Sequence, residues 1–259
     1  MENMVKNNFL VDGVLTSPPY NTARVGAVHN SEKARLHHWG RYDVFEEFGS
    51  GEEYIEWTIK LFNKFDEILK KDGVIIYNLS YGSENTENTE LMWRVVYNIF
   101  EHTPFTLADN IIWKKQNALP NNTSSNKLTR ICEYIYIFCR KTEFHTFKSN
   151  KPKLSIGKNG QQYYKSTYNY IEAPNNDEKC DLNKATFSTE LVKKLLDIYI
   201  YPESVVYDPF MGTGTTAKGC LQRNMCFVGS EVSEAQVEYS LERLEKEEKN
   251  NEYSLDYWS

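Results

Sequence analysis

The five cysteines, Cys132, Cys139, Cys180, Cys220 and Cys226, include no C-x-x-C pair. That excludes the usual redox and zinc-ribbon arrangements and leaves reduced, structural thiols of a cytoplasmic protein as the expectation. The chain also lacks a secretory signal and any apolar run long enough to cross a bilayer, so no membrane partner is expected. Internal repeats are missing. The His37-His38 pair has no carboxylate or cysteine at helical or turn spacing, which argues against a metal. The glycine-rich turn Gly212-Thr213-Gly214 has neither the third glycine nor the lysine of a phosphate-cradling loop. A cofactor without phosphate, whose carboxylate meets a helix N-terminus, suits it better.

What is present starts with size and charge. A chain of 259 residues suits one large α/β domain with room for a small inserted lobe. The net charge of −6 is unevenly spread, because residues 111–165 carry 11 basic and 2 acidic side chains, a local +9. Phosphates sense local charge, so this segment is a candidate nucleic-acid footprint in an acidic protein. Between Lys148 and Asn176, where no period is evident, Lys151, Lys153, Lys158 and Lys165 are interleaved with Tyr163, Tyr164, Tyr168 and Tyr170. Basic groups neutralise phosphates and flat rings stack on exposed bases.

The chain is organised around Val205-Val206-Tyr207-Asp208-Pro209-Phe210-Met211-Gly212-Thr213-Gly214-Thr215-Thr216. Val205 to Tyr207 favour a strand, and Pro209 ends it. Gly212 and Gly214 permit a sharp turn and close approach of a ligand. Thr213, Thr215 and Thr216 are placed to cap a helix running to about Arg223. A second strand, Cys226–Gly229, leads to Glu231, 19 residues beyond Gly212. Strand, glycine turn, helix, strand and acid at this distance form the layout that holds a nucleoside, with the acid on ribose hydroxyls.

At the other end, Val11–Leu15 reads as a buried parallel strand that runs into Thr16-Ser17-Pro18-Pro19-Tyr20. The two prolines make a stiff loop beyond the strand's carboxyl end, where ligands bind in open α/β sheets. Residues 22–50 are irregular and polar, with Arg24, Lys33, Arg35 and Arg41, and suit a flexible segment that orders on substrate. Helices are predicted over Glu53–Lys71 (ended by Asp72-Gly73), Glu90–Phe100, Phe187–Tyr199 (capped by Ser188 or Thr189) and Glu234–Asn250, the last with Val237, Leu241 and Leu244 inward. Strands are predicted over Val74–Leu79, Thr106–Trp113 and Ile131–Cys139. Between the last two strands lies an exposed basic loop, residues 114–130.

Thr16-Ser17-Pro18-Pro19-Tyr20 followed, far downstream, by Asp208-Pro209-Phe210-Met211-Gly212-Thr213-Gly214-Thr215-Thr216 resembles the amino-methyltransferases of DNA. Catalytic loop first, target-recognising region next and cofactor motif last is the circularly permuted order of that family's beta group. The resemblance implies a Rossmann-like methyltransferase fold over residues 1–259: a mostly parallel twisted sheet with helices on both faces, a DNA-contacting loop at 22–50 and a target-recognition region at 141–180. It implies S-adenosylmethionine as methyl donor, with Asp208, Phe210, Met211, Gly212, Gly214, Thr215, Thr216, Glu231 and Val232 about it. Thr16, and Thr186 in the segment Lys184–Phe187, belong to the same set, although that segment departs from the family's common His-Pro form. Ser17, Pro18, Pro19 and Tyr20 match the catalytic tetrad.

The implied partner is double-stranded DNA, held by Arg24, Lys33, Arg35, Arg41, Lys114, Lys115, Lys127, Arg130, Lys158, Tyr163 and Lys165. A cognate restriction endonuclease and a homodimer are further implied possibilities. Serine at the first catalytic position favours N4 of cytosine, with N6 of adenine as the alternative. A protein-glutamine methyltransferase carries a similar loop, but there the cofactor motif comes before it. A non-catalytic nucleic-acid-binding module would not need both motifs intact.

Overall fold

The structure is a computed structural model describing residues 1–19, 48, 50–80, 86–118, 120–122, 125, 128–177, 180, 182 and 187–255. After a short helix α1 (Glu2–Lys6), strand β1 spans Val11–Thr16 and is buried on both faces except at Asp12. Helix α2 (Gly51–Ile68) starts where the Ser50 hydroxyl accepts from the Glu53 N–H, and buries Tyr54, Ile55, Leu61, Phe62, Phe65 and Ile68. This is the amphipathic stripe expected from the sequence. Strand β2 (Leu69–Leu79), helix α3 (Thr86–His102), strand β3 (Phe105–Lys115) and strand β4 (Cys132–Arg140) follow.

Helix α2 ends three residues earlier than the sequence suggests, and Asp72-Gly73 lies inside β2. The reason is distant in sequence. Arg140, at the end of β4, donates to the carbonyls of Asp66, Leu69, Lys70 and Lys71 and to the Asp66 carboxylate. It satisfies one carbonyl of the last helical turn, that of Asp66, and the carbonyls of Leu69, Lys70 and Lys71 just beyond, and so holds the chain as it leaves the helix for extended backbone.

A short 3₁₀ helix (Lys141–Thr146) comes next, and the segment without a clear period after it contains a separate hairpin of β5 (Lys153–Ile156) and β6 (Gln162–Tyr164), and strand β7 (Tyr170–Ala173). Helix α4 (Thr189–Tyr199) is capped by Ser188, whose hydroxyl accepts from the Leu191 N–H. Strand β8 (Val205–Asp208), helix α5 (Thr215–Leu221), strand β9 (Cys226–Gly229) and helix α6 (Glu234–Leu255) complete the described chain.

The seven-stranded sheet has the order β7-β3-β4-β2-β1-β8-β9. Pairings β1–β2, β1–β8, β8–β9 and β3–β7 are parallel; β2–β4 and β3–β4 are antiparallel. Alternate residues of each strand feed two cores. On one face Tyr77, Tyr136, Phe138 and Tyr207 meet α2 and α3; on the other Ile76, Ile135, Ile137 and Val206 meet α4. Period-2 side chains on a sheet covered on both sides require this partition. Helix α6 follows the expected stripe only in part: Val237 and Leu244 are half-buried but Leu241 is 55% exposed, while Gln236 and Ser240 are buried.

Candidate active site

The carboxyl ends of β1, β2 and β8 lie side by side at one edge of the sheet, since Thr16 pairs with Tyr77 and Val14 with Tyr207. The serine–diproline corner leaves β1 there, and the glycine turn leaves β8 there. A buried tie joins them. Asp208 Oδ1 accepts from Thr16 Oγ1 at 2.7 Å and from the Phe210 N–H at 3.0 Å, while Oδ2 accepts from Thr216 Oγ1 at 2.6 Å. One carboxylate thus fixes the end of β1, the turn and the first residues of α5. Burial is the main force on its titration and pushes its pKa up to about 6; the bonds from Thr216, Thr16 and Phe210 pull the other way.

The sequence assigns Asp208 and Thr16 to the cofactor, and the structure gives both a prior use: they are buried and bonded to each other. Nor do the threonines cap α5. Its N-cap is Gly214, with no side-chain cap. Thr216 donates to Asp208, and Thr215 Oγ1 accepts from Arg243. Among the described residues no side chain caps the first-turn N–H groups.

The turn needs its glycines. Gly212 and Gly214 have φ of 51° and 79°, a region costly to other residues. A Cβ on Gly214 would also lie 2.9 Å from Ser240 Cβ. Glu231 closes the turn from the side: Oε2 accepts from the Gly212 N–H at 2.9 Å, and Oε1 from the N–H groups of Val232 and Ser233 at 2.9 and 3.0 Å. A carboxylate has about four acceptor positions, so Glu231 retains capacity for a ribose hydroxyl. Val232 is 77% exposed beside it. Phe210 lies 5.6 Å from Trp57, which itself contacts Phe48 and Tyr54, making an aromatic wall from α2. Bare turn, uncapped helix start, flanking acid and aromatic wall fit S-adenosylmethionine, a nucleoside with an amino-acid carboxylate and no phosphate.

At the corner, Pro18 and Pro19 are buried and Ser17 is half-buried. Asn78, near the end of β2, donates to Ser17 Oγ at 3.5 Å and to Glu133 Oε2 at 3.2 Å; Glu133 in turn pairs with Lys115. Sequence reasoning missed Asn78 and Glu133. The available signal was a polar residue in the apolar run of β2, at the carboxyl end where ligands bind.

Lys114 and Lys115 are also ion-paired, with Glu172 at 3.0 Å and with Glu133. They stand at the same sheet edge as Ser17, as does exposed Arg130 in the loop before β4. Exposed Lys158, Tyr163 and Lys165 belong to the β5–β6 hairpin, whose root is at the opposite edge, where Asn150 bonds to the Ile198 and Ile200 carbonyls. Tyr20, Arg24, Lys33, Arg35, Arg41, His37, His38, Lys127 and Thr186 lie outside the described residues, as does most of the 22–50 loop.

A doubly covered sheet of this order, with two such loops meeting at its carboxyl edge, defines a group-transfer enzyme of the Rossmann-like methyltransferase class. The family follows from comparison: a model described as DNA methylase, for the N6 and N4 type, matches residues 11–242, and the chain belongs to that family of S-adenosylmethionine-dependent DNA amino-methyltransferases. Among curated relatives, type II methyltransferase M.Cfr9I of Citrobacter freundii is 22% identical over 272 residues, covering 92% of this chain and 82% of the relative. Among solved structures, the M1.HpyAVI–SAM complex is similar with a TM-score of 0.59 at 20% identity, covering 94% of this chain and 93% of the other. The cytosine-N4-specific PvuII DNA methyltransferase gives a TM-score of 0.65 at 19% identity over 91% and 80%. Among the described residues no helix is long and apolar enough to cross a membrane.

Proposed function

We propose that this enzyme methylates N4 of cytosine in a specific duplex sequence, with Ser17, Pro18, Pro19 and Tyr20 as the acceptor corner and the Asp208–Thr216 turn with Glu231 as the donor site. The observation that supports this reading most is the 2.7 Å bond between Thr16 and Asp208, which ties the strand end that enters the acceptor corner to the strand end that enters the donor turn. S-adenosylmethionine supplies an electrophilic methyl on a sulfonium. The chain's own residues do the rest. A base amine inside a duplex is out of reach, so the target nucleotide is flipped out at a cost of a few kcal/mol, and Tyr20 stacks on its ring. Ser17 Oγ and the Pro18 carbonyl accept the amine's N–H groups and turn its lone pair towards the methyl. The rate gain is positional and electrostatic. Asn78, donating to Ser17, orients the hydroxyl.

Serine at residue 17 favours cytosine over the N6-adenine alternative. Loops 22–50 and 114–130 and the region 141–180 carry the DNA. In the last of these, residues 144–171 hold five lysines and no acid, which suits phosphates flanking the target. The β5–β6 hairpin supplies such flanking contacts if the duplex runs along the β7 side. A cytoplasmic location, a partner endonuclease and a homodimer complete the proposal. The test is incubation with S-adenosylmethionine and duplex DNA followed by nucleoside mass spectrometry. N4-methylcytosine is expected; N6-methyladenine overturns the choice of base.

A further inference from the structure

Arg243 sits on α6, one turn beyond Ser240, and reaches back to the glycine turn. Its side chain is 11% exposed. Nη1 donates to the Thr213 carbonyl at 3.2 Å and to Thr215 Oγ1 at 3.1 Å; Nη2 pairs with Asp177 Oδ2. Asp177 also accepts from the Thr189 N–H at 2.7 Å and from the Thr189 hydroxyl, at the start of α4. Arg243 and Asp177 together join the turn between the two glycines, the first residue of α5 and the start of α4. Phe187, Cys180 and Tyr239 line the same small cleft.

We propose that Arg243 is a positioning residue for the methyl donor, acting with Asp177. It orients the Thr213–Gly214 peptide and the Thr215 side chain, and so sets the shape that the glycine turn presents to the donor. Through Asp177 it ties the first residue of α4 to that turn. A planar guanidinium presents its donors in a fixed fork that spans a carbonyl, a hydroxyl and a carboxylate; the compact ammonium of a lysine offers three donors from one point and does not reproduce that spread. Arg243 reaches the donor through the turn and does not act on the transferring methyl. Its loss is therefore read in donor affinity, with little change in the chemical step.

The inference rests on the glycine turn being the donor site, so the experiment includes Glu231→Ala beside Arg243→Ala, Arg243→Lys and Asp177→Ala. S-adenosylmethionine affinity is measured by titration calorimetry and kcat at saturating donor, with thermal melts in the presence and absence of donor. Arg243→Ala is expected to weaken donor binding about tenfold or more while kcat at saturation stays within about threefold. Arg243→Lys should fall between it and wild type. Asp177→Ala combined with Arg243→Ala should weaken affinity less than the two single effects added, as for residues acting as one unit. The donor-induced rise in melting temperature should shrink more than the donor-free melting temperature falls. If Glu231→Ala weakens binding and Arg243→Ala, folded, does not, the role assigned to Arg243 is wrong. If neither variant changes affinity, the donor-site reading fails and this inference with it. Should Arg243→Ala not fold, Arg243→Gln, which keeps a donor but loses the charge, answers the same question.

Discussion

Replacing Asp208 separates two roles that a carboxylate can play at a strand end. Here it is 2% exposed and accepts from Thr16, Phe210 and Thr216. Its folded pKa of about 6 lies above the reference value of 3.8, chiefly because of burial. The native state therefore holds the proton more tightly than the unfolded chain. The stability this confers is fully present below about pH 4, is lost as pH rises to about 6, and is flat beyond. At ~1.4 kcal/mol per pH unit, the loss across that window is roughly 3 kcal/mol. Asp208→Asn keeps the shape without the charge. Its Oδ1 can still accept from Phe210 and Thr16, and its Nδ2 can donate to Thr216 once that hydroxyl rotates. At neutral pH we expect this variant to be as stable as wild type or up to about 3 kcal/mol more stable, with the pH 4 to 6 decline reduced and methyl transfer kept within about fivefold. Asp208→Ala deletes the tie. It should cost about 2–4 kcal/mol and, by letting the two loops drift by the order of 1 Å, about a hundredfold in rate. Urea unfolding across the pH window and single-turnover transfer at saturating donor measure both. A folded Asp208→Asn enzyme as slow as Asp208→Ala would mean that the charge itself serves the reaction, and the positioning argument would be refuted.

Gly214→Ala meets both a positive φ of 79° and the Ser240 side chain; a loss of about 1–3 kcal/mol is expected by thermal melting, and a second change, Ser240→Gly, should recover only the steric part. Arg140→Ala removes the distant cap of α2 and should cost about 2–3 kcal/mol, a melting-temperature fall of roughly 4–10 °C, with the donor affinity of the folded enzyme unchanged. Asn78→Ala should lower kcat about tenfold with donor affinity little changed, since Asn78 donates to Ser17 on the acceptor side; an unchanged kcat in steady-state assays would remove Asn78 from the mechanism.

Local chemistry made parts of this molecule legible. The β8 run, the glycines at positive φ and the acid 19 residues on follow from strand, turn and distance rules, and the structure joins Glu231 to Gly212 by a direct bond. Two prolines after an apolar run similarly marked the corner after β1. What escaped the sequence depends on residues far apart in the chain. The end of α2 is set by Arg140, 74 residues from Asp66. Strand β7 exists because β3 offers an edge and Trp113 donates to the Ala173 carbonyl across 60 residues; four residues with one acid among them carry little signal alone. The inward face of α6 is partly polar, because at Ser240 it meets a tight turn where a leucine would not fit, so a search for an apolar stripe chose Leu241 along with the half-buried Val237 and Leu244. The charge count likewise treated Lys114 and Lys115 as free cations, whereas folding brings Glu172 and Glu133 to them.

The central claim is that the acceptor corner and the donor turn work as one site because Thr16 holds Asp208. Single-turnover methyl transfer by Thr16→Val enzyme preloaded with S-adenosylmethionine tests it most directly, since valine keeps the shape and replaces the hydroxyl with a methyl group that cannot donate to Asp208. A rate at least about tenfold below wild type, with donor affinity within about threefold, is the expected result. Wild-type transfer by that variant would contradict the account.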